Sequence, residues 1–201
     1  RRGQAGCRGR TIVNAFDGIT YAKGGSVLKQ LVAWVCIDPF YAGVAAYFKK
    51  HDWSNTRLSD LFAELERTSG RELGEWARLW LETAGVNTLS PVFETDAAGT
   101  FTRFAVSQTA AADYPTIRPH RLGVGLYNLQ DGVLARVHYV EADVDGELTE
   151  ISELIGHAQP DLVLLNDEDL AYAKIRLDDR SLATAIAHLG KISDPLARSL
   201  V

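Results

Sequence analysis

Apolar residues at Val27, Leu28, Leu31, Val32 and Val35 recur at the three-and-four spacing that lays one stripe along a helix, and this helix anchors the chain's first element to a core. Its start falls near Phe16, with Asp17 or Thr20 placed to cap the free N–H groups of the first turn. Asp38-Pro39 punctuates the pattern, Asp38 as N-cap and Pro39 at the first helical position. Phe40, Val44, Tyr47 and Phe48 then define the buried face of a second helix. A third is predicted from Ser59, through Leu61, Phe62 and Leu65, to a stop at Gly70. The fourth carries Leu73, Trp76, Ala77, Trp80, Leu81 and Ala84 before Gly85 closes it. Four successive helices make an all-α subdomain.

Near Leu89 the period changes from helical to alternating. Thr102, Phe104 and Val106 point one way from a strand, as do Leu122, Val124 and Leu126, and later Val133, Ala135, Val137 and Tyr139. Turn signals at Ala98-Gly99, Asp131-Gly132 and Asp145-Gly146 separate these runs at the spacing of a meander. Leu162 to Leu165 is a short, wholly apolar strand, and Ala173 to Leu177 another. The expected unit is a small antiparallel β-sandwich. Beyond Asp178 the pattern returns to helix, with Leu182, Ile186 and Leu189 on one face and Gly190 as its stop, and a further short helix opens at Asp194-Pro195. The fold class is therefore α+β. The expected organisation is an unassigned leader over residues 1–14, helices over 15–88, the sandwich over 89–178 and the start of a helical domain over 179–201.

The 201 residues, 46% hydrophobic and 23% charged, suit one ample core or two small ones. A net charge of −5 and a pI near 5.5 argue against an electrostatic nucleic-acid binder. The one basic cluster, Arg1, Arg2, Arg8 and Arg10 interleaved with glycines, reads as a leader. No apolar run reaches the length of a membrane span. Cys7 and Cys36 form no disulfide framework, Cys36 reads as a small buried hydrophobe, and a cytoplasmic location is expected. The chain holds no methionine, so it is expected to be an internal piece of a longer protein.

Candidate chemistry is sparse. His51, His120, His138, His157 and His188 are the five histidines, and no two stand four apart with a glutamate following the first. Asn166-Asp167-Glu168-Asp169 is the densest acidic run, but it lacks the glycine and distal glutamate of a calcium loop and reads as a solvated turn. Glu64 and Glu66, two apart on a helix, do not face each other. Ser26 and Ser181 have no neighbouring base. Gly123 and Gly125 lack the following helix that phosphate binding needs, and are expected to permit a close backbone approach. Tyr21, near the entrance of the first helix, offers a phenol, a neutral donor at pH 7 able to hold a hydrogen bond toward a developing negative oxygen. On spacing alone it reads more readily as a packing residue whose hydroxyl has found a partner.

The string from Phe16 to Gly24, followed by an apolar helix, resembles a segment of the aminopeptidase N family of zinc metallopeptidases (gluzincins), its bacterial members above all. The likeness continues through Trp80 to Asn87, then Arg118-Pro119-His120, and ends with Tyr172 to Asp178. The resemblance implies that residues 15–88 close a thermolysin-like catalytic domain, followed by a sandwich and a C-terminal helical domain, and that Tyr21 is the one catalytic residue present, stabilising the tetrahedral intermediate. It also implies zinc in the full-length parent, a peptide substrate and a zinc-bearing domain absent from this chain. Two departures matter. Gly25 stands where the family usually has Ala, at about 1 kcal/mol of helix propensity. The zinc-binding H-E-x-x-H helix, the glutamate after it and the G-A-M-E-N-type segment that holds the substrate's amino group are absent. No cofactor is expected to bind this chain, and it is expected to be inactive by itself and prone to self-association through an exposed apolar face. The alternative is a non-catalytic scaffold or interaction module in which Tyr21 merely packs.

Overall fold

The computed structural model describes residues 18–201, and side chains from Tyr21 onward. The leader expected over residues 1–14 and the cap expected at Asp17 lie outside the described residues. Thr20 lies inside the first helix, α1 (Gly18–Val35), which is followed by α2 (Ile37–Lys50), α3 (Leu58–Ser69) and α4 (Gly74–Leu81). Val27, Leu31 and Val35 of α1 are buried against Leu65, Leu73, Trp76 and Trp80. The helical period thus places about one residue of α1 in the core per turn, while Leu28, expected in the same stripe, is exposed.

The other helices differ from expectation in several details, and Phe48 and Leu81, expected on buried faces, are exposed. The second begins one residue before Asp38, with Cys36 at the N-cap in a left-handed backbone (φ 68), and α1 and α2 meet there at a bend of 108°. The bend turns Cys36 outward, so it is exposed rather than a buried hydrophobe. The fourth helix stops at Leu81, ahead of Gly85, whose φ of 98° belongs to the link into the sandwich. Gly70 ends α3 as expected, in the left-handed conformation. Between α2 and α3, Glu64 is buried and paired with Lys50 at 2.9 Å and Arg67 at 2.9 Å. These bonds, Lys50's first, hold its carboxyl below the usual carboxylate range.

Seven strands follow: β1 (Thr88–Thr95), β2 (Phe101–Thr109), β3 (His120–Gln130), β4 (Val133–Val144), β5 (Leu148–Glu150), β6 (Leu162–Asp167) and β7 (Lys174–Ile175). They form two sheets, β5-β2-β1-β7 and β4-β3-β6, antiparallel except for the short parallel pairing of β7 with β1. Between the sheets lies a core of Leu89, Phe104, Val106, Leu122, Val124 and Val163 with their neighbours. Every residue of β6 is buried, because its second face is covered as well: Leu162 and Leu164 meet Ile192 and Ala197 from the C-terminal segment.

That segment holds α5 (Asp179–His188) and α6 (Pro195–Leu200), capped by Asp178 and Asp194. Its docking face is not the one expected. Leu182, Ile186 and Leu189 are exposed, and Ser181 and Ala185 are buried instead. Small residues let α5 approach β6 closely enough for the Ser181 hydroxyl to accept from the Val163 N–H at 2.8 Å. On β4 the expected face is likewise reversed. Val133 and Val137 are exposed, while Val140, Ala142 and Val144 pack between the sheets and Leu134, beyond a bulge that leaves Val137 unpaired, packs on the opposite face with Leu162 and Ile192. Among the described residues no single helix is long and apolar enough to cross a membrane.

Candidate functional site

Tyr21 stands near the start of α1 and is 70% exposed, on a stretch through Gly25 that is exposed throughout. A Cβ added at Gly24 or Gly25 would meet nothing among the described residues, so the alanine expected at position 25 would fit. Beside this projecting end an apolar groove of about 450 Å³ opens between α1, α3 and α4, lined by Lys23, Val27, Leu28, Leu61, Phe62 and Trp76. Tyr21 is therefore exposed two residues before the first lining residue of this groove, Lys23, rather than sealed in a core.

No group of three histidine, cysteine, aspartate or glutamate side chains among the described residues could hold a metal. The histidines are dispersed. His51 follows α2, His188 ends α5, and His138 stacks on His157 with ring centroids 4.0 Å apart. Burial, and then the neighbouring His157, lower the His138 pKa. His120 is fully buried at the start of β3, edge-on to Trp80, with neither ring nitrogen bonded. Burial and then the charge of Arg118 push its pKa down to about 3, so it is neutral throughout the physiological range.

The acidic run at Asn166 is not a solvated turn. Asn166 and Asp167 are buried, and Asp167 accepts from the Tyr127 hydroxyl at 2.9 Å and from Arg136 at 3.0 Å. Asn166, Glu168 and Asp169 all adopt positive φ (60°, 74° and 54°), and the Asn166 amide holds the turn by bonding both the N–H and the C=O of Ala171. Gly123 and Gly125 are explained by the same carboxylate strand. A Cβ at Gly123 would run into the Asp167 carbonyl, and one at Gly125 into its carboxylate. Burial and the bond to Asp167 raise the Tyr127 pKa.

The separated motifs that carry the family likeness converge in space, and not on Tyr21. Arg118, 2% exposed, lies against the end of α4: its Nε donates to Leu79 O at 2.9 Å, and Nη2 to Ala84 O at 2.6 Å and to the Thr83 hydroxyl. Its guanidinium also faces the Trp80 ring, 5.4 Å from the centroid, and burial lowers its pKa. Trp80 donates its indole N–H to Pro119 O at 3.0 Å, and Asn87 donates to Thr116 O at 2.7 Å. Lys174 N–H closes the group on Asn87 O at 2.9 Å. A helix C-terminus is a partial negative charge, which is why a buried cation can sit there without a carboxylate. This joint welds the helices to the sandwich. Sequence spacing gave it no role, since its members lie up to 95 positions apart, from Leu79 to Lys174.

α1 is tied to the sandwich separately. Gln30, fully buried, accepts from the Tyr172 N–H at 2.9 Å, and Lys29 reaches Asp169 at 3.1 Å. Neither was singled out by the sequence.

Residues 7–81 match the sequence profile of the Peptidase family M1 domain. The chain is 56% identical over 192 residues to aminopeptidase N of Streptomyces lividans, covering 92% of this chain and 22% of that protein. It is 26% identical over 186 residues to human glutamyl aminopeptidase, covering 88% of this chain and 18% of the relative. In fold it is similar to Legionella pneumophila aminopeptidase A, solved with aspartic acid, with a TM-score of 0.69 and 17% identity over 92% of this chain and 20% of that one. The chain thus spans about a fifth of the length of the proteins it matches.

Proposed function

The chain belongs to the M1 peptidase family, and on that premise we propose that it is part of a zinc-dependent aminopeptidase that hydrolyses N-terminal residues from peptides, with Tyr21 as a catalytic residue. The observation that carries this reading is the placement of Tyr21. It lies in the segment the family profile matches, at the projecting end of a helix and beside an open apolar groove. A phenol so held donates a hydrogen bond to the oxygen on which charge develops as the peptide carbonyl becomes tetrahedral. The interaction strengthens as that charge grows, so it acts on turnover more than on binding.

The described residues hold no ligand set that fits zinc. The metal is therefore assigned to the whole protein and not to these residues, and the 201-residue chain alone is inactive in this reading. The division into residues 15–88, 89–178 and 179–201 is supported by the change from helix to strand between Leu81 and Thr88 and back to helix between Ile175 and Asp179. The zinc-bearing domain is the partner proposed for the groove, and the open groove with exposed Leu28 also favours self-association of the chain alone. A cytoplasmic location fits the exposed free thiol of Cys36.

The test is Tyr21→Phe in the full-length protein. Loss of one oxyanion donor lowers kcat by about 10²–10³-fold, with zinc content unchanged by metal analysis. A kcat within about threefold of the parent's removes Tyr21 from the mechanism.

A further inference from the structure

Small residues, not large ones, dock the C-terminal helix. Ser181 and Ala185 of α5 are buried against β6, and this leaves Leu182, Ile186 and Leu189 on the outside, 48%, 79% and 40% exposed. A single exposed leucine is ordinary, but large apolar residues at i, i+4 and i+7 form one ridge, and packing on β6 gives no reason for it. Ala183 and Ala187 beside the ridge are exposed too, so nothing bulky flanks it on that side.

The same chain carries a concave counterpart. The groove of about 450 Å³ between α1, α3 and α4 is walled by Leu28, Leu58 and Leu81, each about half exposed, and backed by the buried Trp76 and Trp80. A helix with apolar anchors at i, i+4 and i+7 is what such a groove accepts. The charges agree in sign. Lys23 is the one charged side chain among the described residues that line the groove, and exposed Asp179 lies one turn before Leu182 on the ridge face. Ridge and groove are both open in a single copy, so neither fills the other within the chain.

We propose that the α5 ridge of one copy of this chain seats in the groove between α1, α3 and α4 of a second copy, with Asp179 toward Lys23. The proposal rests on the reading that the groove makes the chain self-associate, and names the surface that enters it. Because ridge and groove are different surfaces, the contact is heterologous: a pair still offers one free ridge and one free groove. Assembly therefore continues head to tail, into a ring or a filament, rather than stopping at a two-fold dimer. A second copy and the zinc-bearing domain proposed for the same groove exclude each other, so the contact belongs to the chain on its own.

The experiment is analytical ultracentrifugation of the 201-residue chain and two variants, with circular dichroism as the check of folding. Ile186→Glu places a charge on the ridge and keeps the groove; Leu28→Glu places one in the groove wall and keeps the ridge, and both side chains are exposed. The parent's weight-average mass should at least double between about 5 µM and about 500 µM, the range of a weak interface. A charge desolvated without a partner should weaken association by about 100-fold, leaving either variant monomeric over that range. Mixed in equal amounts, the two variants should pair through the one intact ridge and the one intact groove, and stop at a dimer. A mixture that stays monomeric overturns the head-to-tail contact. Parent-like assembly in either single variant also overturns the proposal; where it is Ile186→Glu alone, the groove survives as the associating surface. A parent that is monomeric throughout removes the self-association reading, and this proposal with it. Should either variant misfold, Leu182→Glu and Leu58→Glu take their places on ridge and groove.

Discussion

Replacing Arg118 by methionine probes the joint most directly. The guanidinium is 2% exposed and gives up a charged bond to Ala84 O at 2.6 Å, one to Leu79 O at 2.9 Å, one to the Thr83 hydroxyl and longer contacts to Thr116 O at 3.4 Å and Asn87 Oδ1 at 3.5 Å. A buried acceptor stripped of its donor costs about 1–3 kcal/mol. Leu79 O keeps the Thr83 hydroxyl as a donor, so the main loss falls on Ala84 O and on the Trp80 face. Against this, the variant no longer buries a cation, which returns part of the desolvation cost. The balance is a destabilisation of about 2–4 kcal/mol. For a chain of this size it lowers Tm by roughly 10 °C. Arg118→Lys should recover less than half, because one ammonium cannot serve acceptors that lie in different directions around a planar fork. The assay is urea denaturation of the 201-residue chain followed by circular dichroism, with thermal melts beside it. A loss in Arg118→Met below about 1 kcal/mol would refute the claim that this cation holds helices and sandwich together.

His120 predicts a pH dependence. Its folded-state value of about 3 lies below the ordinary histidine value, so its contribution is complete above about pH 6.5 and is lost as pH falls toward 3. At pH 5 the loss is about 2 kcal/mol, and His120→Leu should abolish it; unchanged acid sensitivity in that variant, by urea midpoints at pH 7.5 and pH 5, would count against the buried neutral imidazole. Gly125→Ala pushes a methyl into the Asp167 carboxylate and should cost on the order of 1–3 kcal/mol in the same unfolding assay; a variant as stable as the parent would mean that this approach is looser than described.

What the sequence determined is whatever a few adjacent residues decide. Gly70 ends α3 in the left-handed conformation, Asp131 and Gly132 turn β3 into β4 with φ of 48° and 83°, and Gly99 and Gly146 mark the other two expected turns, because such backbone angles are a local matter of side-chain sterics. The change of period near Leu89 announced the sandwich for the same reason, and the string around Tyr21 carried the family. Only the tertiary structure decided which faces are covered. Period shows that a helix or strand has an apolar side but not what lies against it, so Leu182 and Ile186 stayed outside while Ser181 docked, and one bulge in β4, at Val137, put Leu134 and Val140 on opposite faces of their sheet. Asp167 read as solvated because its partners, Tyr127 and Arg136, stand 40 and 31 positions away. Arg118 and Gln30 acquired their roles in the same way, 39 and 142 positions from the groups they hold, since a hydrogen bond depends on distance in space and leaves no trace in local spacing.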